Sequence, residues 1–100
     1  MAGYQRKTAF SSSEVLRHAE SALPELVGVA KVKASGHGAT YSGNEGTVKL
    51  AVHPHGPYTE VVATTDRLRT SRLDYEVQRF LNQLPYEPGD QGGRGSGEPS

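Results

Sequence analysis

The chain has 100 residues, 34% hydrophobic and 22% charged, enough for one small domain with a single core and too few for two. Its 11 Lys and Arg balance 11 Asp and Glu, and a net charge of zero argues against a general nucleic-acid binder held by a basic excess. The absence of cysteine excludes disulfides, thiolate catalysis and cysteine-based zinc sites.

No segment approaches the roughly 20 apolar residues of a membrane span. The opening MAGYQRKTAF holds no apolar run of signal-peptide length. A cytoplasmic location without membrane contact is therefore expected.

Taken in chain order, Tyr4 to Phe10 alternates along its length and reads as an edge strand or an ordered arm. In FSSSEVLRHAESALP, Ser11 and Glu14 have capping-box spacing, and Phe10 and Val15 are placed for a hydrophobic staple. Val15, Leu16, Ala19, Ala22 and Leu23 share a helical face, and Pro24 is expected to end the helix. ELVGVAKVKAS reads as a strand, because Val27, Val29 and Val32 favour pleated backbone. Gly36, Gly38, Gly43 and Gly46 then mark a flexible connection, within which Ala39 to Tyr41 pairs only briefly.

TVKLAVH alternates cleanly, with Val48, Leu50 and Val52 on one face and Lys49, Ala51 and His53 on the other. YTEVVATT continues as a second β-branched strand, and Pro54-His55-Gly56-Pro57 between them reads as a hairpin loop. The expected register pairs His53 with Tyr58, Leu50 with Val61 and Val48 with Ala63. TSRLDYEVQRFLNQLP carries Leu73, Val77, Phe80, Leu81 and Leu84 at helical spacing, with Ser71 and Asp74 as a capping pair and Arg72 and Glu76 paired on the wet face. From Pro85 the glycine- and proline-rich PYEPGDQGGRGSGEPS offers too little apolar surface to offset the entropy of ordering. The expected organisation is a single domain over residues 1–84 and a disordered tail over 85–100.

The order (β)-α-β-β-β-α implies an α+β two-layer sandwich: an antiparallel sheet of three to four strands with two helices on one face. The helix–three strands–helix order resembles that of the double-stranded-RNA-binding domain. That family's lysine cluster at its last helix corresponds here to RLRTSRLDYE, where arginines mix with Asp74 and Glu76. An initial strand and a long closing helix also resemble a shortened helix-grip fold, as in polyketide-cyclase-like lipid binders. Both resemblances are of element order, which carries no function by itself.

The four histidines, His18, His37, His53 and His55, lie on a helix, in a glycine loop and at a turn, without the convergent spacing of a metal site. Ser11 to Ser13 and Ser71 read as helix caps, and no serine sits in a glycine-flanked strand-to-helix nucleophile elbow. The glycine-rich SGHGATYSGNEGT lacks the spacing of a phosphate loop and leads into a strand. Neither catalysis, a metal nor a cofactor is expected.

Two surfaces remain. Arg67, Arg69, Thr70, Ser71 and Arg72 surround the last helix's start, where free amides favour an anion or acidic partner. Lys31, Lys33, Lys49, His53 and Tyr58 are expected on the uncovered sheet face. The leading expectation is a non-enzymatic protein-interaction module, with a protein partner or a second copy on that face. The alternatives are RNA binding through these lysines and arginines, and a small ligand or lipid held between helices and sheet.

Overall fold

Cross-strand pairing of the alternating segments builds the sheet. A computed structural model describes residues 2–85 of the chain. The elements run β1 (Ala2–Thr8), α1 (Ser12–Val27), β2 (Ala30–Ser35), β3 (Gly38–Gly43), β4 (Gly46–Pro54), β5 (Thr59–Thr65) and α2 (Arg72–Asn82). The five strands form one antiparallel sheet in the order β1-β5-β4-β3-β2. Strands β2 to β5 are a meander of hairpins, and β1 returns to pair along β5. Both helices lie on one face, giving the α+β sandwich with more strands than the sequence implied.

The additional strand is β3. Glycines flank it, but Ala39 and Tyr41 point into the core while Thr40 and Ser42 are half-buried, an alternation that supports pairing on both sides. A two-residue turn, Asn44-Glu45, leads into β4, with Gly46 at a φ of 130°. Gly38 has a further reason to be glycine: a Cβ there would stand 2.2 Å from the Leu50 carbonyl oxygen.

Helix α1 opens with the expected capping box, Ser11 accepting from Glu14 N–H while Glu14 accepts from Ser11 N–H. It does not stop at Pro24. A proline in the last turn removes one intrahelical bond, and the chain continues to Val27 before Gly28, at a left-handed φ of 67°, ends it. The strand expected from Glu25 therefore begins only at Ala30. Val15, Ala19, Leu23 and Val27 form the buried stripe of α1. Leu73, Val77, Phe80 and Leu81 do the same for α2, with Leu84 beyond it.

These stripes meet Ala39, Tyr41, Val48, Leu50, Val52, Val61 and Ala63 on the sheet. Fully burying a Val- or Leu-sized side chain contributes roughly 1.5–3 kcal/mol, so this cluster supplies the main driving force for folding. The space between helices and sheet is occupied by it. The Ala9 amide donates to the Pro85 carbonyl (3.2 Å), tying the end of α2 to the end of β1. The tail expected over 85–100 lies, Pro85 apart, outside the described residues.

Candidate functional site

The sheet face turned away from the helices is built in cross-strand rows. One row runs Gly3, Thr64, Lys49, Thr40, Lys33; the next runs Gln5, Val62, Ala51, Gly38; the third runs Lys7, Glu60, His53. Its centre is small or β-branched and half-exposed, and its cations stand along the rows. Glu60 is the only carboxylate in the five strands. Gln5 donates to Glu60, and the His55 ring stands 3.6 Å from it.

The hairpin register differs from the expected one by two residues: His53 opposes Glu60, Leu50 opposes Ala63, Val48 opposes Thr65 and Val52 opposes Val61. A two-residue slip preserves every side chain's face, which is why the hydrophobic pattern could not detect it. The turn is then His55 to Tyr58, closed by His55 N–H donating to the Tyr58 carbonyl (2.8 Å). Tyr58 stacks on His55 at 5.1 Å, with the Lys7 ammonium 5.3 Å from its ring centre. So Tyr58 belongs to the turn at one end of the sheet, its ring beside Lys7 of the uncovered face, and His53 opposes Glu60 rather than Tyr58.

Lys31 changes sides. A bulge between Lys31 and Lys33 inserts Val32, which is 63% exposed, and places Lys31 opposite core-facing Tyr41. The Lys31 ammonium pairs with Glu20 of α1 at 2.9 Å. Lys33, past the bulge, stands opposite Thr40 and shares the uncovered face with Lys49. Val27, at the end of α1, and Val29, before β2, are in the core rather than in the strand expected there.

The arginines around α2 have separate destinations. Arg67 donates through Nε to the Glu45 carbonyl (3.1 Å) and stands 3.9 Å from Asp66. Arg72 reaches the Leu26 carbonyl (3.3 Å) and stands 3.9 Å from the Glu45 carboxylate, rather than pairing with Glu76, which is buried. Arg69 turns the other way, to the Gly3 carbonyl (3.4 Å) and the face of Tyr4 (4.9 Å). Thr70 lies exposed in the turn before the helix, and Ser71 is its N-cap, accepting from Asp74 N–H (3.1 Å). Arg67 and Arg72 thus converge on Glu45, while Arg69 does not join them.

The hub of this region is Asp74, 0% exposed. Its carboxylate accepts from the Tyr4 hydroxyl (2.6 Å), the Thr65 hydroxyl (2.8 Å) and the Ser71 hydroxyl (2.8 Å). These bonds join β1, β5 and the start of α2. Partial burial first, then the hydrogen bond to Asp74 and that carboxylate's charge, push the Tyr4 phenol above its ordinary value, and Arg69 opposes them. The sequence marked Asp74 only as a cap. Its link to Tyr4 crosses 70 positions of chain and has no local signal.

His18 is not a free polar-face residue: it stacks on Phe80 at 5.5 Å and meets Gln83 at 3.3 Å. Among the described residues no three histidine or acidic side chains gather as metal ligands. None of the described helices is long and apolar enough to cross a membrane. A hollow of about 330 Å³ lies beside α1 at His18, Ala22, Leu26 and Gln83. A second, of about 260 Å³, lies at the β2–β3–β4 end of the sheet, lined by Lys33, Ser35, His37, Gly38, Thr40, Lys49 and Ala51 among others. Comparisons with protein-family models, curated proteins and solved structures found no match.

Proposed function

We propose that the chain is a non-enzymatic protein-interaction module that docks an acidic protein partner on the uncovered face of its sheet. The observation that carries this reading is the partition of charge: Lys7, Lys33 and Lys49 stand on that face with Glu60 as the strands' only carboxylate. The low centre formed by Val62, Ala51 and Gly38 adds an apolar floor that a partner can desolvate. Self-association would set these lysines against their own copies, so an acidic partner fits better than a second copy.

RNA binding is the second reading, favoured by the same lysines. Sheet faces that bind single strands stack bases on exposed aromatics. Here the rows between the lysines are Thr64, Thr40, Val62 and Ala51. A ligand between helices and sheet has less support, because core side chains occupy that space.

The test is affinity purification of the full chain from its own cells after nuclease treatment, beside Val62→Glu and, as a helix-face control, Glu25→Gln. The reading expects identified protein partners retained by Glu25→Gln and lost from Val62→Glu. Partners that Val62→Glu retains, or that vanish with nuclease, contradict it. A steep fall of RNA affinity with salt would favour the second reading instead.

A further inference from the structure

The hollow at the β2–β3–β4 end of the uncovered face holds two lysines without partners. Lys31 is paired with Glu20, and Lys7 lies over Tyr58. The side chains of Lys33 and Lys49 make no hydrogen bond, ion pair or ring contact with any described residue, and both line this one hollow. Thr40 stands between them in the same cross-strand row, paired to Lys33 on one side and Lys49 on the other. Neighbouring strands lie about 4.8 Å apart, so the two lysine stems rise roughly 10 Å from each other and can lean together over Thr40.

The floor beside that row is backbone and small side chains. Gly38 faces Ala51, and the 2.2 Å approach to the Leu50 carbonyl oxygen means no side chain fits at Gly38 without moving the strands. The turn that forms the rim is pinned: His37 N–H donates to the Ser35 hydroxyl (3.2 Å) and the His37 carbonyl accepts from Val52 N–H (2.8 Å). Ser35, His37 and Thr40 therefore bring hydrogen-bonding side chains to the edge of a hollow whose charge comes from Lys33 and Lys49.

Resting on the docking-face reading above, we propose that this hollow binds a phosphate monoester carried by the docking partner, such as a phosphorylated serine. A carboxylate would balance only one of the two ammonium groups. A phosphate monoester carries roughly −1.5 to −2 charges at pH 7 and three acceptor oxygens, enough for both lysines and a hydroxyl. The hollow's volume of about 260 Å³ leaves room for the backbone that carries the group.

The experiment is an amide NMR titration of the full chain with a short end-capped glycine peptide carrying one phosphoserine. The same peptide with unmodified serine, the same peptide with glutamate, and inorganic phosphate are the other arms. The proposal expects saturable shifts centred on residues 33–40 and 49–51 with the phosphopeptide. It expects weaker binding of inorganic phosphate at the same residues, and no saturation with the serine peptide. Both lysines are exposed, so Lys33→Gln/Lys49→Gln should keep the fold and lose tenfold or more in affinity. Absent saturation, shifts centred elsewhere, glutamate binding as tightly as phosphoserine, or an unaffected double variant would each overturn it. If the phosphate arm fails while Val62→Glu still abolishes partner binding, the phosphate site falls and the docking face stands. If Val62→Glu is silent as well, both fall.

Discussion

Asp74 ties three parts of the fold through one buried carboxylate. A buried carboxylate is tolerated when donors surround it, and here the hydroxyls of Tyr4, Thr65 and Ser71 do so from three elements. Thr65→Val keeps the shape and removes one donor to a charged acceptor, so it should lower unfolding free energy by about 2 kcal/mol in urea denaturation. A loss below about 0.5 kcal/mol would place the carboxylate's stabilisation elsewhere. The pH dependence of Tyr4 has a definite sign. Its folded value is raised, so its contribution is full below the ordinary tyrosine value near 10 and is lost as pH rises through the folded value. Tyr4→Phe should flatten the alkaline fall of the thermal midpoint, leaving the part due to Tyr41, which burial also raises. At this scale the sequence revealed the caps, Ser11 with Glu14 and Ser71 with Asp74, because a cap is a local spacing. The destinations of Arg67, Arg69 and Arg72 were hidden, because each depends on a chain segment far away in sequence.

Elements were legible where one physical signal dominated. The alternation in β4 and the helical spacing in α2 each had one interpretation. Three features were read differently because two signals competed. Pro24 reads as a stop, but a last-turn proline is compatible with helix and Gly28 ends α1 instead. The glycines around β3 read as a flexible connection, but its alternating burial and pairing with two strands make it the second strand of the meander. The bulge at Val32 then reverses the faces assigned to Lys31, which no count by twos can foresee. Gly38→Ala tests the closeness of β3 and β4: the added methyl meets backbone, and a destabilisation of about 1–3 kcal/mol is expected by thermal or chemical unfolding. Ser11→Ala should cost about 1 kcal/mol by loss of the α1 cap. Glu14 is held below its ordinary value by the Ser11 backbone N–H first and then the Ser11 side chain. Its contribution is therefore present above the unfolded carboxylate value and is lost as pH falls through the folded one. The stability difference between the wild type and Glu14→Gln should narrow in acid and persist at neutral pH.

For the whole molecule, zero net charge conceals an uneven distribution. The helices and turns hold Glu14, Glu20, Glu25, Glu45, Asp66, Asp74 and Glu76, whereas the strands hold Glu60 alone among carboxylates. The bulk count weighs only against a general nucleic-acid binder, whereas the quantity relevant to an acidic partner is the charge of one face. The sandwich followed from element order, because two amphipathic helices and a hairpin sheet have one apolar surface to share. The pairing of β3 between β2 and β4 makes the uncovered face wider than the expected three to four strands would give. The central claim, that this face is the docking surface, is most directly tested by a photo-crosslinking amino acid placed at Ala51, with Glu25 on α1 as the comparison. In living cells, position 51 is predicted to yield nuclease-resistant adducts with an acidic protein, and position 25 to yield none. Adducts from position 25 without any from position 51, or adducts from position 51 only to nucleic acid or to a second copy of the chain, would contradict the account.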